Sequence, residues 1–201
     1  MRGIILSNRV EPIRDKKKIT AIKNLLKGAG KFRDYGLFIC GINFGLRIGD
    51  LLRLQVKNVI NASDRIKDNF EIREQKTDKL NVVEINEGAR SALKFLFKKT
   101  DINQDSNNYL FYNTREVPGL KPISRIQAYR LIKKWCANVG LTNLNVGTHT
   151  LRKTFGYHAW KSGVSIEVLQ KKFKHKSTAT TRQYLGIEEA DVKESYHKVN
   201  L

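Results

Sequence analysis

Apolar residues recur at helical spacing over most of the chain. From Lys16 to Gly28, the residues Ile19, Ile22, Leu25 and Leu26 fall on one face, and Gly28 and Gly30 supply stop signals. A second and more apolar helix is predicted from Asp34 to Leu46, through Leu37, Phe38, Ile42 and Phe44, and a short third from Ile48 to Leu54. The pattern then shortens. Segments near Val56–Ile60, Asn69–Glu74 and Leu80–Ile85 read as strands, the last two joined by the polar turn Lys76-Thr77-Asp78-Lys79. Helical spacing returns from Glu87 to Lys99. A polar loop, Asp101 to Asn108, and a short apolar piece, Tyr109 to Tyr112, follow. Pro122 suits a first helical turn, and Ile123 to Val139 carries the next helix. Further helices are predicted at Thr150–Lys161, Ile166–Phe173 and about Thr178–Tyr184. Residues 1–14 read as an irregular arm, 15–186 as one domain and 187–201 as a helical tail. The expected fold is mainly α with a small three-stranded antiparallel sheet (α+β).

Composition narrows the class. A chain of 201 residues suits one domain and buries roughly 70% of the surface that its unfolded form exposes. With 40% hydrophobic residues and 3 Pro, intrinsic disorder is excluded. Cys40 and Cys136 each lie in an apolar stretch and read as reduced core residues, with no disulfide framework or metal site. The apolar run after Arg2 ends at Leu6, too short for a secretory signal, and no stretch approaches a membrane span. A cytoplasmic setting is the expectation.

Charge changes the picture most. Lys and Arg number 38 against 19 Asp and Glu, a net +19. From Lys121 to Leu185 there are thirteen Lys or Arg and a single acid, Glu167. So dense a one-signed field attracts a polyanion and releases its counterions, which favours nucleic acid over a merely solvated basic face. A membrane surface fits less well, because no segment joins Lys and Arg to a large apolar face. The basic field ends where the tail begins, since Ile187 to Val199 holds four acids and two lysines.

Candidate chemistry lies inside this basic third. His149 and Arg152 stand three apart at a helix start, where side chains share a face and can converge on one anion. The guanidinium fork matches two phosphate oxygens. A phenol, with a reference pKa of about 10, is a weak nucleophile unless cations surround the group it attacks. Tyr184 has such surroundings: residues 171–176 read Lys-Lys-Phe-Lys-His-Lys, and Arg182 follows. Tyr35, Tyr129 and Tyr157 sit in apolar helical patterns and read as packing residues. Upstream, Gly45-Leu46-Arg47-Ile48-Gly49-Asp50-Leu51-Leu52 puts a second arginine at a helix junction, with Asp50 three residues on and placed to orient a cationic neighbour.

These four pieces, G-L-R-I-G-D-L-L, the turn lysine in E-Q-K-T-D-K, H-T-L-R-K-T-F-G and H-K-S-T-A-T-T-R-Q-Y, come in the order and spacing of the tyrosine recombinase (phage integrase) family. The chain resembles that family's catalytic domain from about Val10 onward. Each motif alone is modest; the ordered set, with His175 and Tyr184 nine apart, is specific. The resemblance implies that Arg47, Arg152 and His175 hold a scissile DNA phosphate. Lys76 would protonate the leaving 5′ oxygen, with Lys79 as its rival across the turn. His149 would assist proton transfer or bond the phosphate, and Asp50 would support the site. Tyr184 would attack to give a 3′-phosphotyrosyl link and a free 5′-hydroxyl. The family works without metal or ATP, and no cofactor is expected.

The family commonly has Gly before the second His, where this chain has Lys174. A lysine there must either take a left-handed conformation or change the turn. Family members usually carry an N-terminal DNA clamp, so the chain reads as an excised catalytic domain or a short member. The expected partners are double-stranded DNA and, on paired sites, further copies of the chain in a tetramer, with a monomer in the absence of DNA. The tail, with Val192, Tyr196 and Val199 on one face, would dock on a neighbour or pack in cis. Arg125, Arg130, Lys133, Lys134, Lys174 and Lys176 are candidate DNA contacts. A type IB topoisomerase-like relaxing enzyme and a DNA-binding regulator without catalysis are the alternatives.

Overall fold

The computed structural model describes residues 9–100 and 102–187. The expected tail, from Glu188 on, lies outside the described residues. The first helices are α1 (Lys16–Gly28), α2 (Phe32–Phe44), α3 (Ile48–Leu52) and α4 (Val56–Val59). A hairpin follows, β1 (Asn69–Arg73) and β2 (Leu80–Glu84), and then α5 (Glu87–Lys99). The last four helices are α6 (Arg125–Asn138), α7 (Thr150–Lys161), α8 (Ile166–Phe173) and α9 (Thr178–Leu185).

No residue of α2 is exposed, so the helix has no solvent face. It packs against α1, α5 and α7. Leu37, Phe38, Ile39, Cys40 and Phe44 are all buried. Around it gather Ile22 and Leu26 from α1, Leu93 and Leu96 from α5, Ile132 and Trp135 from α6, and Leu151 from α7. Cys40 and Cys136 belong to this core as free thiols. Burial pushes both thiols up, Cys136 to about 11, so they stay protonated and inert. Tyr157 is buried, and Tyr35 is half-buried edge-on to Phe95. Tyr129 is likewise half-buried.

A second, smaller core lies at the corner formed by α7, α8 and α9. Ile166, Leu169, Phe173 and Leu185 are its buried members, with Phe155, Trp160 and Tyr184 packed against them. Gly156 permits this corner. A Cβ there would come within 2.4 Å of Leu185 and 2.6 Å of Phe173. Only a bare backbone lets α7 and α9 approach so closely.

The sheet has two strands rather than three. Asn69 pairs with Glu84 and Arg73 with Leu80 in antiparallel register. The expected first strand, Val56–Ile60, forms one helical turn instead. Gln55 and Asn58 make a reciprocal capping box, and the Ile60 N–H donates to the Val56 carbonyl at 2.9 Å. The buried positions are Val56 and Val59, spaced three apart, where a strand would bury alternate residues. Pro122 also differs from expectation. It stands outside α6 and bridges Tyr112, while Ser124 and Gln127 form the capping box that starts the helix.

Residues 9–14 are irregular yet tied down. Ile13 is 1% exposed, and its N–H donates to Thr154 Oγ1. Lys153 donates to the Val10 carbonyl, and Arg14 to the carbonyl of Gly186 just past α9. The described part of the arm thus spans the α7–α9 corner. Among the described residues no helix is long and apolar enough to cross a membrane.

Candidate active site

Arg152 sits one turn into α7 and is 3% exposed. Its guanidinium reaches back to two carbonyls, Gly45 at 2.7 Å and Phe173 at 3.3 Å, and lies 4.6 Å over the Phe173 ring. Gly45 ends α2 with φ +61°, and a Cβ there would meet Phe155 at 2.5 Å. The fork expected to grip phosphate therefore spends two of its five donors on the backbone, which fixes its plane, and also bonds the Tyr184 hydroxyl.

Tyr184, half-buried near the end of α9, faces this arginine. Its hydroxyl is 3.1 Å from His149 Nδ1, the residue that caps α7. The His175 ring centroid is 4.8 Å from that of Tyr184, and Lys153 Nζ lies 4.9 Å over the phenol. Burial raises the Tyr184 pKa, and the charges of Arg152 and Arg47 pull against it without reversing it. Burial lowers the pKa of His149, and the cations Arg152, Lys153, Arg47 and Lys76 lower it further. Burial, Arg152 and Arg47 do the same to His175. Both imidazoles are thus neutral at pH 7. In the tautomer with its proton on Nε2, His149 Nδ1 accepts a hydrogen bond from the Tyr184 hydroxyl.

Beside this group opens a cleft of about 320 Å³. Arg47, Gly49, Asp50, Gln75, Lys76, Arg125 and His149 line it. Arg47 caps the start of α3, and Lys76 stands exposed on the turn between β1 and β2. Lys79, its rival, lies outside the cleft lining. Asp50 is 1% exposed and does not pair with Arg47, its neighbour on the same helix face. It accepts instead from Arg53 at 3.0 Å and from the Gln75 N–H at 3.0 Å, so it anchors the residue just before Lys76.

The acid that meets Arg47 is Glu74. Arg47 Nη1 donates to its Oε2 at 2.7 Å. Thr77 Oγ1 donates to the same oxygen at 2.8 Å, and Asn81 to Oε1 at 3.0 Å. Lys174 Nζ stands 3.3 Å from Oε2. The Glu74 side chain is fully buried. Burial alone would raise its pKa, but the bonds from Thr77 and Arg47, the Arg47 charge and the Lys174 bond outweigh it, and the net shift is downward. The sequence held one signal for this residue: strand periodicity puts Glu74 on the same inward face as Phe70 and Ile72.

Lys174 takes the left-handed conformation, φ 57° and ψ 42°, and closes α8 with its own N–H on the Gln170 and Lys171 carbonyls. Its side chain turns inward to Glu74 and to the Leu80 carbonyl, so it is no longer a candidate DNA contact. His175 follows directly, its Nδ1 3.1 Å from Thr181 Oγ1. Lys176 is exposed beside it. The candidates on α6 divide. Arg125 joins the cleft and donates to Gln75 Oε1 at 3.1 Å. At about 100° per residue, Lys134 points nearly opposite to Arg125. It lines a separate hollow with Leu131, Trp135 and Asn138. Arg130 and Lys133 are exposed between these directions. Among the described residues no group of three or more His, Cys, Asp or Glu gathers as a metal ligand set.

Known proteins bear on this arrangement. Residues 13–190 match the model of the phage integrase family. A probable integrase/recombinase, YoeC of Bacillus subtilis, is 42% identical over 187 residues, covering 93% of this chain and 95% of that protein. The tyrosine recombinase XerA of Pyrococcus horikoshii is 27% identical over 185 residues, and the match spans 90% of this chain but 59% of that protein. Among solved structures, a XerA recombinase superposes with a TM-score of 0.75 at 21% identity, over 96% of this chain and 67% of that one. A XerH site-specific recombinase bound to its difH substrate, after cleavage, superposes with a TM-score of 0.68 at 18% identity, over 94% and 53%. At these identities the superpositions speak for the fold.

Proposed function

The chain belongs to the phage integrase family, and from that premise we propose that it is a site-specific recombinase that cleaves and rejoins double-stranded DNA through Tyr184. The observation that carries this reading is the Tyr184 hydroxyl held on His149 Nδ1 at 3.1 Å, with Arg152 beside it and Arg47 and Lys76 in the adjoining cleft. A protein that only bound DNA would need no such arrangement.

Each group takes a role. Arg47 and Arg152 bind the scissile phosphate and stabilise the charge that builds on its oxygens. His175 lies against the same phenol and adds a donor. His149 takes the phenolic proton as the Tyr184 oxygen attacks phosphorus. The bond to the 5′ oxygen breaks, and that oxygen takes a proton from Lys76 to leave as a hydroxyl. The resulting 3′-phosphotyrosyl bond keeps the phosphodiester energy, so a 5′-hydroxyl from another strand reverses the step without ATP. The positive charge at the phosphate comes from side chains, and no metal ion is required. Lys76 suits its role because its side chain stands exposed on the hairpin turn, free to reach a bound phosphate. Asp50 and Glu74 fix the ends of that turn. Arg125, Arg130, Lys133 and Lys176 extend the basic face along the duplex. Exchange between two sites calls for further copies of the chain, assembled as a tetramer on paired DNA.

The test is covalent trapping on a pool of nicked suicide duplexes with a randomised core. The wild-type protein is expected to form an adduct that survives denaturation, and Tyr184→Phe to form none. An adduct that persists in Tyr184→Phe would sink the assignment.

A further inference from the structure

We propose that Glu74 is a positioning residue for strand cleavage, orienting Arg47 and setting the turn that carries Lys76, and that Lys174 completes its shell. The inference rests on the recombinase reading of the site above.

One buried carboxylate joins three segments that are distant in the chain. From the junction of α2 and α3 comes Arg47, at 2.7 Å. From the hairpin come Thr77 at 2.8 Å and Asn81 at 3.0 Å. From the end of α8 comes Lys174, at 3.3 Å. Groups assigned to the reaction stand on or next to each: Arg47 itself, Lys76 beside Thr77, and His175 beside Lys174.

The bonds explain what each segment gains. A guanidinium swings freely on its long stem unless one edge is held. With Nη1 tied to Glu74, the remaining donors of Arg47 point in a fixed direction along the cleft. The turn is held at several points. The Glu74 N–H donates to the Lys79 carbonyl at 3.1 Å, and the Asp78 N–H to the Glu74 carbonyl at 2.9 Å. Thr77 adds its hydroxyl to the carboxylate. Lys76, between them, keeps its side chain exposed while its backbone is fixed. At the third segment, the left-handed backbone of Lys174 is an uncommon state for a side-chain-bearing residue. The inward ion pair gives this lysine a reason to hold it. Both carboxylate oxygens are engaged, and no buried side-chain polar atom among the described residues lacks a partner. The set is therefore closed, and removing its one negative charge leaves two inward cations unbalanced at once.

The experiment compares wild type, Glu74→Gln, Lys76→Ala and Tyr184→Phe on the nicked duplex pool, measuring the single-turnover rate of adduct formation. Each protein is also tested on duplexes with a 5′-thio bridge at the scissile position, whose leaving group needs no proton. Glu74→Gln is expected to bind DNA with near-wild-type affinity and to form adduct about tenfold to a hundredfold more slowly, the cost of a misplaced reacting group. Its rate ratio, thio-bridged over ordinary duplex, should rise above the wild-type ratio in the direction of Lys76→Ala. An adduct rate within twofold of wild type would overturn the proposal, as would a slower rate at the wild-type thio ratio, which would mark Glu74 as structural only. If Glu74→Gln fails to fold, Thr77→Val and Lys174→Met each remove one bond from the shell. Either should slow cleavage and shift the ratio the same way, and wild-type behaviour in both would overturn the proposal. Failure of the wild type itself to form an adduct would instead overturn the recombinase reading beneath it.

Discussion

The Tyr184 phenol is protonated at neutral pH, as its ordinary pKa of about 10 requires, and burial raises that pKa further against the pull of two nearby arginines. As the nucleophile of the proposed reaction it is therefore latent, and that reaction calls for a base at the moment of attack. His149 meets that need only while neutral, and its surroundings hold its pKa below the ordinary 6.5. Above that value the ring accepts the proton; as pH falls through its lowered pKa the ring is charged and acceptance is lost. The rate of adduct formation should accordingly stay level from pH 8 to about 6.5 and fall on further acidification. His149→Gln should slow the reaction and flatten that acid limb; a limb unchanged in the variant would remove His149 from the base role. At this scale the sequence disclosed much of the site. Three-residue spacing at a helix start pointed to His149 and Arg152, the surrounding basic residues pointed to Tyr184, and the resemblance to the recombinase motifs added Arg47 and His175. Glu74 escaped, since its partners Arg47 and Lys174 lie far away in the chain and only folding unites them. Lys174 was legible as a departure from the family pattern, but not as an inward-facing residue.

Elements were read best where one face is strongly apolar over several turns, as in α1, α5 and α8. They were read worst where the apolar run is short. Val56–Ile60 satisfied strand and helix patterns alike, and the capping pair Gln55 and Asn58 decided it. Long helices can also mislead about direction: α6 presents Arg125 to the cleft and Lys134 to another side, although both are candidate DNA contacts by sequence. The junction of α7 with α9 is the most demanding contact between elements near the site. Gly156→Ala would drive a methyl group into Leu185 and Phe173, and overpacking of this kind costs about 1–3 kcal/mol. The expected outcome is a lower thermal midpoint together with a larger loss of cleavage than of DNA binding, because α9 carries Tyr184. A variant as stable and as active as wild type would show that the corner yields more readily than its geometry allows.

Over the whole molecule the dominant property is its net charge of +19. DNA affinity should fall linearly on a plot of log affinity against log salt, with a slope of about −0.9 for each phosphate neutralised. Titration of a labelled duplex at increasing salt measures it, and a flat response would contradict binding through the basic face. Neutralising Arg130 or Lys133, away from the cleft, should lower that slope by about one each while leaving the cleavage rate of bound DNA intact. Charge and composition made a nucleic-acid partner legible from the amino-acid sequence alone, since a long-range field depends on totals more than on contacts.

The two separate hydrophobic cores carry a consequence of another kind. The larger is organised around α2, while α8 and α9 close on a handful of residues around Phe173 and Leu185. So small an apolar cluster contributes only a small share of the global folding free energy. The α8–α9 corner is therefore expected to open ahead of the main body, and hydrogen exchange should show weaker protection of the α9 amides than of those in α2. The arm at residues 10–14, bonded to α7 and to the end of α9, acts as the strap on that corner. On that expectation the helix that carries Tyr184 opens at a lower free energy than α2, and a duplex bound by the recombinase proposed above would shift it at modest energetic cost.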